Sequence, residues 1–251
     1  MYMPFIPRYN NDKSIATAFC SNHESTSVSG KPLTSVLKAC ASAIAICMAE
    51  YALLHCPTSR SLGMPVQKVL EAVGTLDIDM IAPSHGLIWR NRIKDIVDLY
   101  KRWSTNTCDK KAVIVYDTMW HSTEKMAEVI KEALEDKGIK CITRNLQTDH
   151  ISDVMTDILE SKYICIGSPT LNNGIMPTVA SLLTYMKGLA PRNRIGIAFG
   201  SYGWGGQSVG EIEKAFEACK FQLPLKDLKL QYIPDEKELG ELKQKIINAI
   251  P

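Results

Sequence analysis

Three short stretches hold residue types that could do chemistry together. Residues 117–123 read Asp-Thr-Met-Trp-His-Ser-Thr, with hydroxyls at Thr118, Ser122 and Thr123 between an apolar run and a helical pattern. Hydroxyls and main-chain N–H groups at the start of a helix gather naturally around an anion. Residues 167–174 read Gly-Ser-Pro-Thr-Leu-Asn-Asn-Gly, and residues 200–206 read Gly-Ser-Tyr-Gly-Trp-Gly-Gly. Trp120, Leu171, Tyr202 and Trp204 offer flat or apolar walls. The glycines beside them let backbone amides approach a ring edge.

The first stretch lacks the lysine of a G-x-x-x-x-G-K-[ST] loop, which removes the main support for nucleoside triphosphate hydrolysis. A G-x-G-x-x-G turn for a dinucleotide pyrophosphate is also missing. What remains suits a phosphate monoester that is held and not transferred, and with the ring walls it points to flavin mononucleotide (FMN). In that reading Thr118, Met119, Trp120, His121, Ser122 and Thr123 form the phosphate turn. Ser168, Pro169, Thr170, Leu171, Asn172, Asn173 and Gly174 contact the ribityl chain and ring. Ser201, Tyr202, Gly203, Trp204, Gly205 and Gly206 flank the ring. The plainer alternative is that Ser122 and Thr123 only cap a helix.

The elements that must position these stretches are legible from residue 110 onward, where strand and helix patterns alternate. The spacing predicts strands at 112–116, 140–145, 163–167, 194–199 and 228–232. Helices are predicted at 124–136, 152–160, 177–187, 208–220 and 235–249. Gly138 stands where a helix C-cap belongs, and Pro177 suits a first helical turn. Leu239, Leu242, Ile246 and Ile250 fall on one stripe of the last helix. Strands such as Ala-Val-Ile-Val-Tyr are apolar throughout, as those buried on both faces are. Five strands alternating with five helices make an α/β, doubly wound parallel sheet. In the order 2-1-3-4-5, strands one and three meet at the switch point, where ligands bind at carboxyl ends.

The rest of the 251 residues says less. Residues 1–62 are an unassigned leader whose span 10–30 is polar and without period, and 33–54 could be helical. Residues 63–104 carry a helix near 66–73, a short strand at 77–82, a turn bearing His85, and a helix at 93–103. The last has Ile93, Ile96, Val97, Tyr100 and Trp103 on one face. Residues 105–110 read as a linker before a domain at 111–251. The eight cysteines, none spaced C-x-x-C, read as small reduced fillers of a cytoplasmic protein. A net charge of +2 with no basic run argues against nucleic acid. The apolar stretch 39–49 is well short of the roughly 20 residues that span a bilayer, so no membrane is expected.

The motifs Tyr-Asp-Thr-Met-Trp-x-Ser-Thr-Glu from Tyr116, Gly-Ser-Pro-Thr-x-Asn-Asn from Gly167 and Phe-Gly-x-Tyr-Gly-Trp-Gly-Gly from Phe199 resemble the flavodoxin-like domain of the flavodiiron proteins. The resemblance runs from about Gly63 to the C-terminus. It implies a flavodoxin-like FMN domain preceded by the end of a metallo-β-lactamase-like domain. Electrons would come from a rubredoxin-like protein or a flavin reductase. Family members reduce oxygen or nitric oxide at a diiron centre and pair head to tail as homodimers. Ile81-Ala82-Pro83-Ser84-His85-Gly86 resembles the end of that iron domain, which makes His85 a vestigial metal ligand. The family's H-x-E-x-D run is absent from residues 1–62, so a diiron centre is not expected. The resulting expectation is an FMN electron-transfer flavoprotein. Two alternatives stand beside it: a residual oxygen or nitric oxide reductase built on His85, and a non-catalytic remnant.

Overall fold

The computed structural model describes residues 88–250, together with residues 67, 68, 70, 71 and 78–81. Helix α1 (Ile93–Ser104) leads into β1 (Asp109–Tyr116), α2 (Ser122–Asp136), β2 (Lys140–Asn145) and α3 (Ile151–Glu160). Then come β3 (Ser161–Gly167), α4 (Pro177–Leu189), β4 (Ile195–Tyr202), α5 (Gln207–Ala218), β5 (Leu228–Gln231) and α6 (Glu236–Ala249). All strand pairs are parallel and the order is β2-β1-β3-β4-β5. The expected doubly wound sheet is therefore the observed one.

Side-chain alternation along the strands divides the core in two. Val113, Val115, Ile164, Ile166 and Ala198 face α3, α4 and α5 and pack with Ile158, Leu182 and Phe216. Ala112, Ile114, Cys165, Ile197 and Phe199 face α2 and α6 and pack with Met126, Ile130, Leu134 and Ile246. Both faces are dry, which is why these strands carry no polar period. The stripe on α6 behaves as read: Leu242, Ile246 and Ile250 are buried, and Leu239 is packed against them.

The helix ends follow local chemistry. Gly138, at φ +69°, closes α2 with two bonds: its N–H to Glu135 O at 2.8 Å and that of Ile139 to Leu134 O at 3.0 Å. This is the Schellman arrangement, in which glycine takes the left-handed position without a Cβ penalty. Pro177 opens α4, and Asp235 with Glu238 forms a capping box on α6.

Several boundaries differ from the sequence reading. Strand β1 begins at Asp109, inside the span read as linker, and Asp109 pairs in register with Ser161. Its first residues are polar because they lie before the helix-covered part of the sheet. Strand β4 starts one residue later than expected and runs on to Tyr202, because Gly200, Ser201 and Tyr202 pair with Lys229, Leu230 and Gln231. Helix α2 starts at Ser122, two residues before its expected start. Trp103 is 39% exposed and meets Tyr100 edge-on at 5.4 Å, so it borders α1's apolar face and does not sit beneath it. Of the strand expected at 77–82, residues 78–80 are irregular and Ile81 makes one antiparallel bridge to Trp89. Its ends at 77 and 82 lie outside the described residues, as do His85 and residues 1–62.

Burial raises the thiols of Cys141 and Cys219 to about 11 and pushes that of Cys165 up as well. Cys108, Cys141, Cys165 and Cys219 are free thiols. Among the described residues no helix is long and apolar enough to cross a membrane.

Candidate functional site

Register brings the three chemical stretches to one edge of the sheet. Tyr116, the last residue of β1, pairs with Gly167, the last of β3, and Gly167 pairs with Phe199 in β4. The turn after β1 thus lies beside the loop after β3, which lies beside the end of β4. Cross-links tighten the group. The Thr123 and Ser201 hydroxyls are buried 3.0 Å apart, and the Thr170 hydroxyl is 2.9 Å from that of Ser208.

The turn before α2 has the features of an anion site. His121 precedes the helix in the left-handed region (φ 62°, ψ 4°), and no side chain caps α2. The first backbone bond at this end runs from Lys125 N to His121 O at 3.0 Å. The N–H groups of Ser122, Thr123 and Glu124 are therefore the unpaired donors of a helix N-terminus. Ser122 and Thr123 are buried inside the first turn and are not its cap, which overturns the plainer reading of them. The Thr118 hydroxyl is buried and has no hydrogen-bond partner. A buried hydroxyl left unpaired costs about 1–3 kcal/mol, so its persistence here suits a ligand that would complete it.

The other candidates fall into distinct settings. Ser168 is fully buried; its hydroxyl donates to Pro169 O at 2.8 Å and accepts from Met176 N at 3.0 Å, pinning the loop to α4. Pro169 is buried beside it, and Thr170 N–H reaches Ser201 O at 2.9 Å. Leu171 and Gly174 exchange two backbone bonds around Asn172 and Asn173, both exposed and at φ 48° and 60°. That turn favours asparagine for its tolerance of positive φ. Ser201 is buried, whereas Tyr202, Gly203, Gly205 and Gly206 are half-buried. Trp120 is 81% and Trp204 96% exposed, with Met119 41% exposed beside the turn. Large aromatic faces left in water at a switch point are what a flat ligand would cover.

Four participants were not in the sequence reading's site. The carboxylate of Asp117, Gln147 and Thr178 meet under the first turn, from the end of β1, the β2–α3 loop and the first turn of α4. No sequence signal marks Gln147 or Thr178, since they lie 30 and 61 residues from Asp117. Ser208 is the fourth addition, donating to Ser168 O at 3.0 Å.

At the outer side of the turn, the Tyr116 hydroxyl donates to Glu124 Oε1 at 2.8 Å, and His121 Nδ1 lies 2.6 Å from Oε2. The bond to His121, then that from Tyr116, holds the Glu124 carboxyl below its ordinary 4.5. Burial, followed by the bond to Glu124, pushes the Tyr116 phenol up. A depressed carboxyl contributes stability above its unfolded value and loses it as pH falls through the folded one. Wild type and Glu124→Gln are therefore expected to differ in urea unfolding at about pH 7, by less than about 1 kcal/mol, with a smaller gap at about pH 3. An equal gap at both values would contradict this.

A family model described as flavodoxin matches residues 114–244. The chain belongs to the flavodoxin family. A Moorella thermoacetica relative named nitric oxide reductase is 42% identical over 158 residues, covering 63% of this chain and 38% of the relative. One from Megalodesulfovibrio gigas named rubredoxin-oxygen oxidoreductase is 38% identical over 167 residues, covering 66% and 42%. The solved structure of rubredoxin oxygen:oxidoreductase from Desulfovibrio gigas matches with TM-score 0.71 and 33% identity, over 86% of this chain and 52% of that one. The flavodoxin domain is of the flavodiiron type. The chain spans less than half the length of these two curated relatives. Among the described residues no group of three or more His, Cys, Asp or Glu side chains could hold a metal ion.

Proposed function

We propose that this chain is an FMN-binding electron-transfer flavoprotein. The observation that carries the reading is the first turn, where the Thr118 hydroxyl is orphaned and three amides at the uncapped start of α2 are unpaired. Backbone donors and hydroxyls at a helix N-terminus hold a phosphate without a lysine. The Thr118 hydroxyl, Ser122, Thr123, the amides of residues 119–121 and the unpaired amides of residues 122–124 bind the phosphate, whereas the Thr118 amide is already bonded to Asp117 Oδ1. The span Ser168 to Gly174 lines the ribityl chain and ring, and Ser201 to Gly206 flanks the ring. Trp120 and Trp204 shield its faces from water. When bound, FMN supplies reversible one- and two-electron redox chemistry through its isoalloxazine ring.

The donor is a rubredoxin-like protein or a flavin reductase, a reading supported by the name of the Megalodesulfovibrio gigas relative. Pairing as a homodimer and a vestigial metal role for His85 belong to the same proposal. So does the division into a leader (1–62), an iron-domain remnant (63–104), a linker and an FMN domain, with the last boundary moved from 110/111 to 108/109 by the start of β1. Nothing in the described residues favours oxygen or nitric oxide reduction by the chain itself.

The purified protein is expected to show the two visible bands of an oxidised flavin, or to gain them when FMN is added. Release of FMN on denaturation, at one equivalent per chain, identifies the cofactor. A colourless protein that leaves the fluorescence of added FMN unchanged would refute the proposal.

A further inference from the structure

We infer that Asp117 is the residue that positions the phosphate turn, acting with Gln147 and Thr178; this rests on the FMN-binding reading. Asp117 directly follows β1, is 1% exposed, and is tied to β3 by its own N–H bonding to Gly167 O at 3.2 Å. Its Oδ1 accepts from Thr118 N at 2.7 Å and from Gln147 Nε2 at 2.7 Å, and its Oδ2 accepts from the Thr178 hydroxyl. The same Gln147 amide also donates to Thr118 O at 2.6 Å.

Both peptide groups that flank Thr118 are thus held from outside the turn, the N–H by Asp117 and the C=O by Gln147. Holding the planes on either side fixes the φ and ψ of Thr118, and with them the direction of its side chain. The one polar group of Thr118 that this network leaves unpaired is the buried hydroxyl assigned to the phosphate. The three donors on Asp117 are an amide N–H, a carboxamide and a hydroxyl, all uncharged. A carboxylate accepts at both oxygens at once, whereas an asparagine would turn an N–H₂ toward one of these donors. Gln147 and Thr178 themselves carry no assigned contact to the flavin. Their effect on it is transmitted through the shape of the turn.

This predicts a selective loss. A misplaced turn weakens the grip on the phosphate and spares the ring loops, so FMN suffers and riboflavin, which lacks the phosphate, does not. On the full chain, affinities for FMN and for riboflavin are measured by fluorescence quenching for wild type, Gln147→Leu, Thr178→Val, Thr178→Ser and Asp117→Asn. Gln147→Leu and Thr178→Val are expected to weaken FMN about tenfold with riboflavin unchanged. Asp117→Asn is expected to do at least as much, and Thr178→Ser to retain the wild-type preference. Parallel weakening of both flavins, or a drop in the melting temperature of the apo forms that accounts for the loss, would reduce these residues to fold supports and overturn the inference. Unchanged FMN affinity in Gln147→Leu and Thr178→Val would overturn it too. If wild type takes up neither flavin, the FMN reading itself fails.

Discussion

Gly200→Ala is expected to lower the free energy of unfolding by about 3 kcal/mol. A Cβ on Gly200 would sit 2.1 Å from the carbonyl oxygen of Ser168 and 3.2 Å from both Ser168 C and the Ser208 hydroxyl. The first obstacle is backbone in a buried loop, so no side-chain rotation relieves it. β4 and the loop after β3 would have to part by more than an ångström. That motion strains three bonds: Ser168 N to Phe199 O at 3.1 Å, Thr170 N to Ser201 O at 2.9 Å, and Ser208 Oγ to Ser168 O at 3.0 Å. Flavin uptake should fall with it, because two of the three ligand loops lose their register. Urea unfolding checks this against Gly210→Ala in α5, where a Cβ meets nothing within 4 Å. That control gains about 0.5–1 kcal/mol from helix propensity. Equal melting of Gly200→Ala and wild type would show that the two backbones are not in contact.

Thr118→Val should separate stability from binding by moving them in opposite directions. Valine has nearly the shape of threonine and removes the unpaired buried hydroxyl, so the apo protein is expected to gain about 1 kcal/mol. A hydroxyl donating to a phosphate makes a charge-assisted bond, and its loss is expected to weaken FMN binding by roughly ten- to a hundredfold. The pair of signs is diagnostic, since a variant that merely misfolds loses both. Thermal unfolding of the apo protein and an FMN titration supply the two readings. A Thr118→Val protein that binds FMN as wild type does would remove Thr118 from the site.

Most of the fold could be read without coordinates, because its signals are local or periodic. The runs at Ala112 to Tyr116 and Tyr163 to Gly167 are apolar at every position, and only a strand covered on both sides accounts for that. Gly138 and Pro177 mark helix ends by backbone geometry that neighbouring residues cannot override. The misplaced strand ends have one cause. Gly200, Ser201 and Tyr202 look like loop residues, yet β5 lies alongside and supplies ladder partners, and strand length is set by such partners. The start of α2 moved for a related reason: His121 takes a left-handed conformation that residue type alone does not announce.

Residue types and spacing by themselves established the α/β architecture, the three loops at its switch point, and the absence of a triphosphate-binding lysine. These depend on pattern, which survives without coordinates. Which hydroxyls are free and which are already paired was decided by tertiary structure alone. Thr118, Ser168 and Ser201 read alike in the chain. In the fold Ser168 is paired with Pro169 and Met176, Ser201 faces Thr123, and Thr118 stands without a partner. The same holds for Asp117, two of whose three partners, Gln147 and Thr178, come from other elements. The pairings of Thr123 with Ser201 and of Asp117 with Gln147 and Thr178 span 78, 30 and 61 residues and leave no trace in local sequence.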